Sequence, residues 1–392
     1  TGELDVLLHR HADYYAAFAE QAGPELLGPR QLDWQHRIRA ELDNLQAAVT
    51  WSLTGNDQTR QLAFRIVSAL AFTAVHGRGT ISVWAERALA QIGTCPPEIR
   101  ATVIATAAWN AFWAGDLVLA QRRAEDALRE PAAGDPMSHG MPRTLLSRTY
   151  ALTGQPERAA SIVREGHQEA GEQGVQVLDG HLLAMESMAR TAAGDFAAAR
   201  QPAIEAVEIA RKVRNPALSA MAFYAAAGAL WLDEPQTALT LIEDSLALTR
   251  AGALDSILGY ALSLAAAIRI RSGDLRGALT VLQEATAQQR GDNRLGLGVT
   301  LQRGAVALAR LGEAEPSAIL SGAVAAHFTV MAASSTADAW LEIAEAQVLA
   351  RRALGDAAHS AALRRGAAMD DDDVVDYALA QFGRLIDGPI PH

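Results

Sequence analysis

A short turn recurs about every 39 or 40 residues along most of this sequence, and this period constrains the fold more strongly than any other feature. The turn usually holds a glycine followed by a polar or acidic residue. The eight turns begin at Gly77, Gly115, Gly154, Gly194, Asp233, Gly273, Gly312 and Gly355. A fixed period of this size is typical of a stacked array of one supersecondary unit. Such arrays usually present binding surfaces rather than catalytic clefts.

Small residues stand at fixed distances from each turn. Five positions after the first residue of the turn come Ser82, Ala120, Ala159, Ala199, Ala238, Ala278, Ser317 and Ser360. Seven positions before it, six units have Ala108, Ser147, Ser187, Ala226, Ala266 and Ala305. Twelve positions after it, six units have Ala127, Gly166, Ala206, Ser245, Ala285 and Ala367. The fifth and twelfth positions are two helical turns apart, so they lie on one face of the second helix.

These offsets predict two antiparallel helices per unit that pack closely through their small residues, as in a tetratricopeptide-type (TPR) repeat. The turn glycine ends the first helix, and an acidic residue after it suits the positive N-terminus of the second. Because the period exceeds the usual length of roughly 34 residues, the helices are longer than in standard repeats. The predicted fold is all-α, an α-α superhelix or TPR-like solenoid of antiparallel helix pairs.

Composition agrees with an all-α chain, since 50% of the residues are hydrophobic but only 5% are aromatic. An ordinary chain of 392 residues forms two or three domains, whereas a solenoid takes up the whole length. We predict an N-terminal helical segment over residues 1–55, TPR-like repeats over 56–369, and a C-terminal capping helix with its tail over 370–392. Within the first segment, helices are expected over residues 4–22 and 31–53.

The net charge and the cysteine content limit the kinds of partner that the chain can bind and the cellular compartment in which it is expected. The net charge of −11 argues against direct nucleic-acid binding, which needs clustered positive charge. The single cysteine, Cys95, excludes an internal disulfide and fits a reducing cytoplasm. The longest apolar run, residues 220–232, is too short to span a membrane. We therefore expect a cytoplasmic protein without membrane contact. Because the sequence begins at Thr1 rather than Met, we expect it to be part of a longer chain.

No motif in the sequence predicts catalysis or metal binding. The only lysine, Lys212, has no glycine-rich loop before it, so the sequence contains no P-loop. His9 and His11 are two positions apart on a helix and point in different directions. The acidic run at residues 370–373 lacks the spacing of a calcium loop and is better explained as the cap of the last helix. We predict no enzyme activity in this chain, no catalytic or metal-binding residue and no cofactor.

The remaining candidate site is a groove, because the first helix of each TPR pair lines the concave side of the array. The aromatic, basic and other large residues expected there are Trp109, Phe112, Trp113, Arg148, His181, Met188, Phe223, Trp231, Tyr260 and Arg271. Aromatic rings with a few arginines can stack a ring or sugar, or hold a peptide carboxylate. The alternative is that these large side chains fill the space between successive repeats and bind nothing. The densest cluster, Trp109 to Trp113, is the strongest candidate.

Both ends of the sequence resemble a known family. The similar stretches are residues 9–15 (HRHADYY), 25–29 (ELLGP), 41–48 (ELDNLQAA), 311–313 (LGE), 318–325 (AILSGAVA), 364–369 (RRGAAM) and 374–379 (VVDYAL). They resemble the helical-repeat region of actinobacterial signal-transduction ATPases, among them transcriptional regulators of LuxR and AfsR type. The resemblance covers nearly the whole chain, but its specific motifs lie at the two ends, with only the generic repeat between them. The four consecutive aspartates before the last helix depart from the family pattern.

The resemblance implies an ATPase module, and in some members a nucleotide cyclase domain, before this region and a DNA-binding helix-turn-helix after it. This chain contains neither the ATPase module nor the DNA-binding helices, so those activities are not assigned to it. We expect the repeats to be the sensor and protein-interaction region of such a regulator. A protein partner or small effector in the concave groove would control the neighbouring ATPase and DNA-binding domains. The alternative is a passive scaffold or self-association module without a small ligand.

Overall fold

In a computed structural model of the protein, residues 2–76, 79–131, 136–173, 175–290, 294–328 and 337–388 are described. This part of the chain consists of α-helices and short 3-10 turns and contains no β-strand. The α-helices, numbered α1 to α20 in chain order, are Gly2–Leu26, Gln31–Ala40, Leu42–Thr54, Asp57–Ala69, Thr80–Leu89, Pro97–Trp113, Leu117–Arg129, Pro136–Leu152, Pro156–Gln173, Gln176–Ala192, Phe196–Val213, Pro216–Leu230, Pro235–Arg250, Leu258–Ser272, Leu275–Gln289, Arg294–Arg310, Ala314–His327, Ala337–Leu354, Asp356–Ala367 and Asp371–Asp387. The predicted all-α class is confirmed.

The turns between paired helices have the predicted chemistry. The turn glycines with left-handed backbone have φ between 74° and 85°, and they are Gly115, Gly154, Gly194, Gly273, Gly312 and Gly355. Such a φ favours glycine because a Cβ atom would be strained there. The residue after the glycine caps the second helix in three units, where Asp116, Asp195 and Asp274 each accept a hydrogen bond from the backbone N–H three positions on. The predicted turn at Gly77 lies outside the described residues.

The predicted small residues form the contact between the paired helices. Ala120, Ala159, Ala199, Ala238 and Ala278 are all fully buried. In the pair α16 and α17, Ser317 Oγ donates a 2.8 Å hydrogen bond to the carbonyl oxygen of Ala305, which joins the two predicted positions directly. Large side chains in their place would push the helices apart, since protein interiors are close-packed. The predicted packing role of these residues is confirmed.

The last helix pair departs from the prediction by one residue. Ser360 and Ala367 are exposed, whereas His359 and Gly366 are buried in their place. The cause is a shorter turn, because Gly355 is itself the residue that precedes α19, while in the other pairs one more residue stands between the glycine and the helix. Each residue of α19 therefore occupies the place that, in the second helix of the other pairs, belongs to the residue one position further from the turn. The assignment of Ser360 and Ala367 to the contact face was wrong.

The N-terminal segment also differs from the sequence prediction. Instead of one helix over residues 31–53, the chain forms α2 and α3 with a break at Glu41. The Glu41 carboxylate accepts hydrogen bonds from the Tyr15 hydroxyl at 2.7 Å and from the Asn44 side chain at 2.8 Å. Burial and the neighbouring carboxylate raise the pKa of Tyr15 to about 12, so its hydroxyl remains a donor to Glu41 at physiological pH.

The acidic run caps the last helix, as predicted. Asp370 accepts a hydrogen bond from the backbone N–H of Asp373 at the start of α20. Arg290 pairs with Asp372 at 3.1 Å and with Asp376 at 2.7 Å. Helix α20 packs against α15 and α17, and its Phe382 is fully buried. The acidic side chains therefore cap and anchor a helix.

The chain divides into two compact units. The first contains residues 1–191, 195–226 and 248–256, and the second contains 192–194, 227–247 and 257–392. In the first unit, one core joins α1, α3, α4 and α5 and includes Val177 of α10. In the second unit, α14 to α17 pack in sequence, and α17 also packs closely on α19. The division into segments at residues 55 and 369 stays a prediction.

Candidate functional site

Three aromatic side chains lie on one face of α6, because residues at i, i+3 and i+4 are neighbours on a helix. The rings of Trp109 and Trp113 are stacked with centroids 5.8 Å apart, and Phe112 meets both rings edge-on. Arg148, on the adjacent first helix α8, places its guanidinium carbon 5.6 Å from the Trp109 ring, 5.2 Å from Phe112 and 5.1 Å from Trp113. The positive charge therefore lies against three aromatic faces at once.

His181 of α10 lies close enough to Arg148 for the positive charge to act on it. Burial, and secondly the charge of Arg148, lower the pKa of His181 to about 4. The imidazole is therefore neutral at physiological pH, with one nitrogen as donor and the other as acceptor. Its ring centroid is 6.5 Å from that of Phe72. We refer to Trp109, Phe112, Trp113, Arg148 and His181 as the Arg148 cluster.

The members of the Arg148 cluster differ in exposure. Trp109 is fully buried, Phe112 is 7% exposed and His181 is 5% exposed. Trp113 and Arg148 are only half-buried and form the side nearer to solvent. Trp113 is held in place by a 2.9 Å hydrogen bond from its Nε1 to the carbonyl oxygen of Ala74. A ligand would therefore meet Trp113 and Arg148 first, with Trp109 and His181 behind them.

Two ring nitrogens of the Arg148 cluster are buried without a hydrogen-bond partner among the described residues. They are Trp109 Nε1 and His181 Nε2. An unpaired buried polar group costs roughly 1 to 3 kcal/mol, so each such group in a native protein calls for an explanation. Because the indole nitrogen is a donor only, its missing partner is an acceptor.

The other predicted groove residues have varied environments. In the first unit, Met188 is half-buried and packs against a small core that includes Leu182 and Met185, and Phe223 is half-buried. In the second unit, Arg271 is exposed and lies 5.6 Å from the ring of the buried Trp231, while Tyr260 is half-buried. The structure thus joins the predicted residues in two groups, the Arg148 cluster and the Trp231–Arg271 pair. Their role in binding stays a prediction.

Sequence reasoning missed a buried polar contact within the first unit. The Gln31 side chain is fully buried, donates to the carbonyl oxygen of Ala253 at 2.9 Å, and accepts from the backbone N–H of Ala217 at 2.7 Å. Asn215 donates to the carbonyl oxygens of Leu26 and Gly28 at 3.0 and 3.1 Å. Through these hydrogen bonds, the two amides connect the turn between α1 and α2 to residues 186 to 222 positions away in the sequence. No local sequence signal marks such a contact.

The remaining chemistry of the described residues does not point to catalysis. Burial raises the pKa of the Cys95 thiol to about 12, so little of the reactive thiolate exists at neutral pH. No three His, Cys, Asp or Glu side chains in the described ranges are placed to share a metal ion. Nor does any described helix combine the length and apolar character needed to cross a bilayer. An open depression of about 440 Å³ is lined only by residues of α3, so it is a shallow surface feature.

Comparison with known proteins identifies the fold. No protein-family model matches the sequence, and no curated protein matches it. A Rap protein, solved in complex with competence and sporulation factor, is similar over 95% of this chain and 96% of its own, with a TM-score of 0.53 and 12% identity. A Signal Transduction ATPase with Numerous Domains (STAND) protein with a tetratricopeptide repeat sensor, from Pyrococcus horikoshii, has a TM-score of 0.50 and 13% identity. That match covers 88% of this chain but only 55% of the other. The predicted TPR-like fold is confirmed.

Proposed function

We propose that this chain is the sensor and protein-interaction region of a signal-transduction ATPase transcriptional regulator, and that the Arg148 cluster belongs to its binding surface. The observation that carries the proposal is the Arg148 cluster itself, where a cation and stacked aromatic rings lie together beside unpaired buried nitrogens. Side chains of this kind recur at binding sites because they combine large contact area with directed polar groups.

The solved neighbours support this proposal. The Rap protein was solved in complex with competence and sporulation factor, and the Signal Transduction ATPase with Numerous Domains has a tetratricopeptide repeat sensor. The sequence stretches at both ends of this chain resemble the repeat regions of LuxR- and AfsR-type regulators. The partner is a protein, a peptide or a small effector. The full-length regulator acts in the cytoplasm, and its ATPase and DNA-binding domains flank this region, which itself does not touch nucleic acid.

In the proposed mechanism, the occupant changes how the repeats interact with the neighbouring ATPase. A ligand shifts such an equilibrium only by the difference in its affinity for the two arrangements. Trp113 and Arg148 are the half-buried members of the cluster and would make the first contact. No catalytic step and no cofactor of this chain is required.

The experiment compares the full-length regulator with its Trp113→Ala and Arg148→Gln variants. Transcriptional output of a target promoter and ATP hydrolysis are measured with and without the inducing extract of the source cells. We expect both variants to retain basal ATP hydrolysis and to lose the response to the extract. Arg158→Gln is the matched control, because Arg158 also lies over an aromatic ring, that of Tyr150, at 4.3 Å. An unchanged response in both cluster variants would reject the assignment of the site.

The second candidate function is a passive scaffold that self-associates. It is favoured by a row of exposed apolar side chains on α1, where Leu4, Leu7 and Tyr14 are 59%, 62% and 65% exposed. Their spacing places them on one helical face. Light scattering over a range of protein concentrations tests this candidate. A mass that rises with concentration, and falls back to the monomer in Leu7→Glu, would support the scaffold.

A further inference from the structure

We infer that the open depression on α3 is a binding site for the ring of a neutral sugar. Its volume of about 440 Å³ lies within the range of roughly 300 to 1,000 Å³ that is typical of small-molecule sites. We refer to it as the α3 depression, and its lining residues are Asp43, Gln46, Ala47, Thr50, Trp51 and Thr54. It shares no residue with the Arg148 cluster, so the inference goes beyond the proposed function and does not depend on it.

The first supporting feature is the shape of the α3 depression, which follows from the spacing of its residues. Asp43, Ala47 and Trp51 are four positions apart, so they form one row along the helix. Ala47 is exposed and has only a methyl group, so it forms a low floor between the longer side chains of Asp43 and Trp51. These two residues are eight positions apart, or about 12 Å along the helix axis, which leaves room for one six-membered ring with its hydroxyl groups.

The second feature is the aromatic wall formed by Trp51. Its half-buried side chain packs against the core that joins α1, α3, α4 and α5, and it also lines the depression. The ring of His9, on α1, meets the indole edge-on with centroids 6.0 Å apart. These contacts hold the indole in place before a ligand arrives, which reduces the entropy cost of binding. The electron-rich face of an indole suits the C–H groups on one face of a sugar ring.

The third feature is a set of polar groups that can both donate and accept hydrogen bonds. Neither the Asp43 carboxylate nor the Gln46 amide has a hydrogen-bond or ion-pair partner in the part of the chain that the structure describes. Arg87 of α5 donates to the Thr50 hydroxyl at 3.3 Å, so a cation also lies at the depression. Because hydroxyl groups both donate and accept, one sugar ring can pair with the carboxylate, the amide and the Thr50 hydroxyl.

Two other classes of ligand fit the α3 depression less well. An organic cation would pair with Asp43 but would be repelled by the charge of Arg87. An apolar ring would cover Asp43 and Gln46 without pairing them, and removing unpaired polar groups from water costs free energy. A sugar ring avoids both costs, because its C–H face can lie against Trp51 while its hydroxyl groups face the polar side chains.

The test uses the methyl pyranosides of glucose, galactose and mannose as probes. Because the depression is open, we expect weak binding, which NMR detects at millimolar ligand concentrations. The protein has seven tryptophans, so ¹⁵N labelling of the indoles gives seven signals, and Trp51→Phe identifies that of Trp51. We expect at least one pyranoside to shift the Trp51 signal saturably. Cyclohexanol has the ring with a single hydroxyl group, and sorbitol has the hydroxyl groups without the ring, so each should shift the signal little.

Two variants test whether the shift arises in the α3 depression. Asp43→Asn removes the charged acceptor but keeps the shape, and we expect it to weaken binding by roughly tenfold, because hydrogen bonds to charged groups are among the stronger ones. Its matched control is Asp33→Asn, at an exposed acid of α2, which should leave the affinity unchanged. Ala47→Leu fills the floor of the depression and should abolish the shift, whereas Ala17→Leu, at an exposed alanine of α1, should not.

The inference is overturned if no pyranoside shifts the Trp51 signal, or if cyclohexanol or sorbitol shifts it as strongly. It is also overturned if the affinity is unchanged in Asp43→Asn or in Ala47→Leu. Circular dichroism checks that each variant is folded, and Gln46→Ala replaces either one that is not, with a lower affinity as the expected result. These variants leave the Arg148 cluster intact, so failure of the sugar site does not affect the proposed function. Loss of the proposed function in turn leaves the pyranoside shift unchanged.

Discussion

Arg148 lies over Trp109 with its guanidinium carbon 5.6 Å from the ring centre, and the two residues are one repeat, 39 positions, apart. The same relationship recurs in the second unit, where Arg271 lies 5.6 Å from the ring of Trp231, 40 positions earlier. Arg310 also donates to the carbonyl oxygen of Ile270, 40 positions earlier. The period therefore determines which side chains meet between successive first helices, as well as where the turns fall.

Because the Gln31 side chain is buried and hydrogen-bonded, we predict that its removal strongly lowers the stability of the fold. Gln31→Ala removes the partners of two backbone groups, the N–H of Ala217 and the carbonyl of Ala253. We expect the free energy of unfolding to fall by roughly 1 to 3 kcal/mol, because buried polar groups are left unpaired. Urea denaturation followed by circular dichroism measures the change. Gln201→Ala is the control, because Gln201 is exposed and its side chain donates a hydrogen bond to Glu205, so its loss should cost less than about 0.5 kcal/mol.

The buried His181 predicts a pH dependence of stability. Its folded-state pKa of about 4 lies below the ordinary value of 6.5, so between these pH values the unfolded chain binds a proton that the folded chain does not. The free energy of unfolding therefore decreases as the pH falls from about 6.5 to about 4, with a slope of up to about 1.4 kcal/mol per pH unit from this residue. Above pH 7 the contribution is constant.

Urea denaturation of wild type and His181→Gln at several pH values between 4.5 and 7.5 isolates this effect. The carboxyl groups of Glu20 and Glu41 have lowered pKa values and also cost stability in acid, but they contribute equally to both proteins. We expect the difference in unfolding free energy between wild type and variant to change with pH in this window. A constant difference would contradict a neutral, buried His181. His36→Gln, at an exposed position, controls for loss of a histidine as such.

Because α17 and α19 approach each other closely, we predict that one added methyl group between them strongly lowers the free energy of unfolding. A Cβ atom on Gly366 would collide with the backbone of Ile319, and one on Gly322 would collide with the backbone of Leu363. Because both contacts are with backbone, rotation of a side chain cannot relieve them. We expect Gly366→Ala to lower the free energy of unfolding by roughly 2 to 3 kcal/mol. Gly93→Ala is the control, since no atom lies near its added methyl group, and equal costs for the two variants would refute the close approach.

The sequence predicts the fold well because its period is a local property repeated many times. The turn glycines have left-handed backbone, and Ala120 and Ala199 are buried at the contact face as expected. The position of Ser360 could not be predicted, because a turn shortened by one residue leaves its glycine in place but rotates the following helix. Glu41, at the break between α2 and α3, accepts a hydrogen bond from Tyr15, which is 26 residues away and which no local pattern could indicate.

The candidate site was predictable only in part. The spacing on α6 and the period indicate that Trp109, Trp113 and Arg148 meet, but they do not indicate how deeply each is buried. Burial depends on how neighbouring helices pack, and it makes Trp109 inaccessible at the surface while Trp113 stays half-buried. The contact between Gln31 and Ala253 joins residues 222 positions apart, which no periodic pattern specifies.

The central claim is that this chain binds a ligand or partner through the Arg148 cluster rather than serving as a passive scaffold. Thermal unfolding of wild type and Arg148→Gln against fractions of the source cell's metabolites and peptides tests it most directly, with light scattering on the same samples. A ligand at 100 times its Kd stabilises the folded state by about 2.7 kcal/mol. We predict that at least one fraction raises the Tm of wild type but not of Arg148→Gln, at constant molecular mass. The claim is contradicted if no fraction changes the Tm, or if one stabilises both proteins equally.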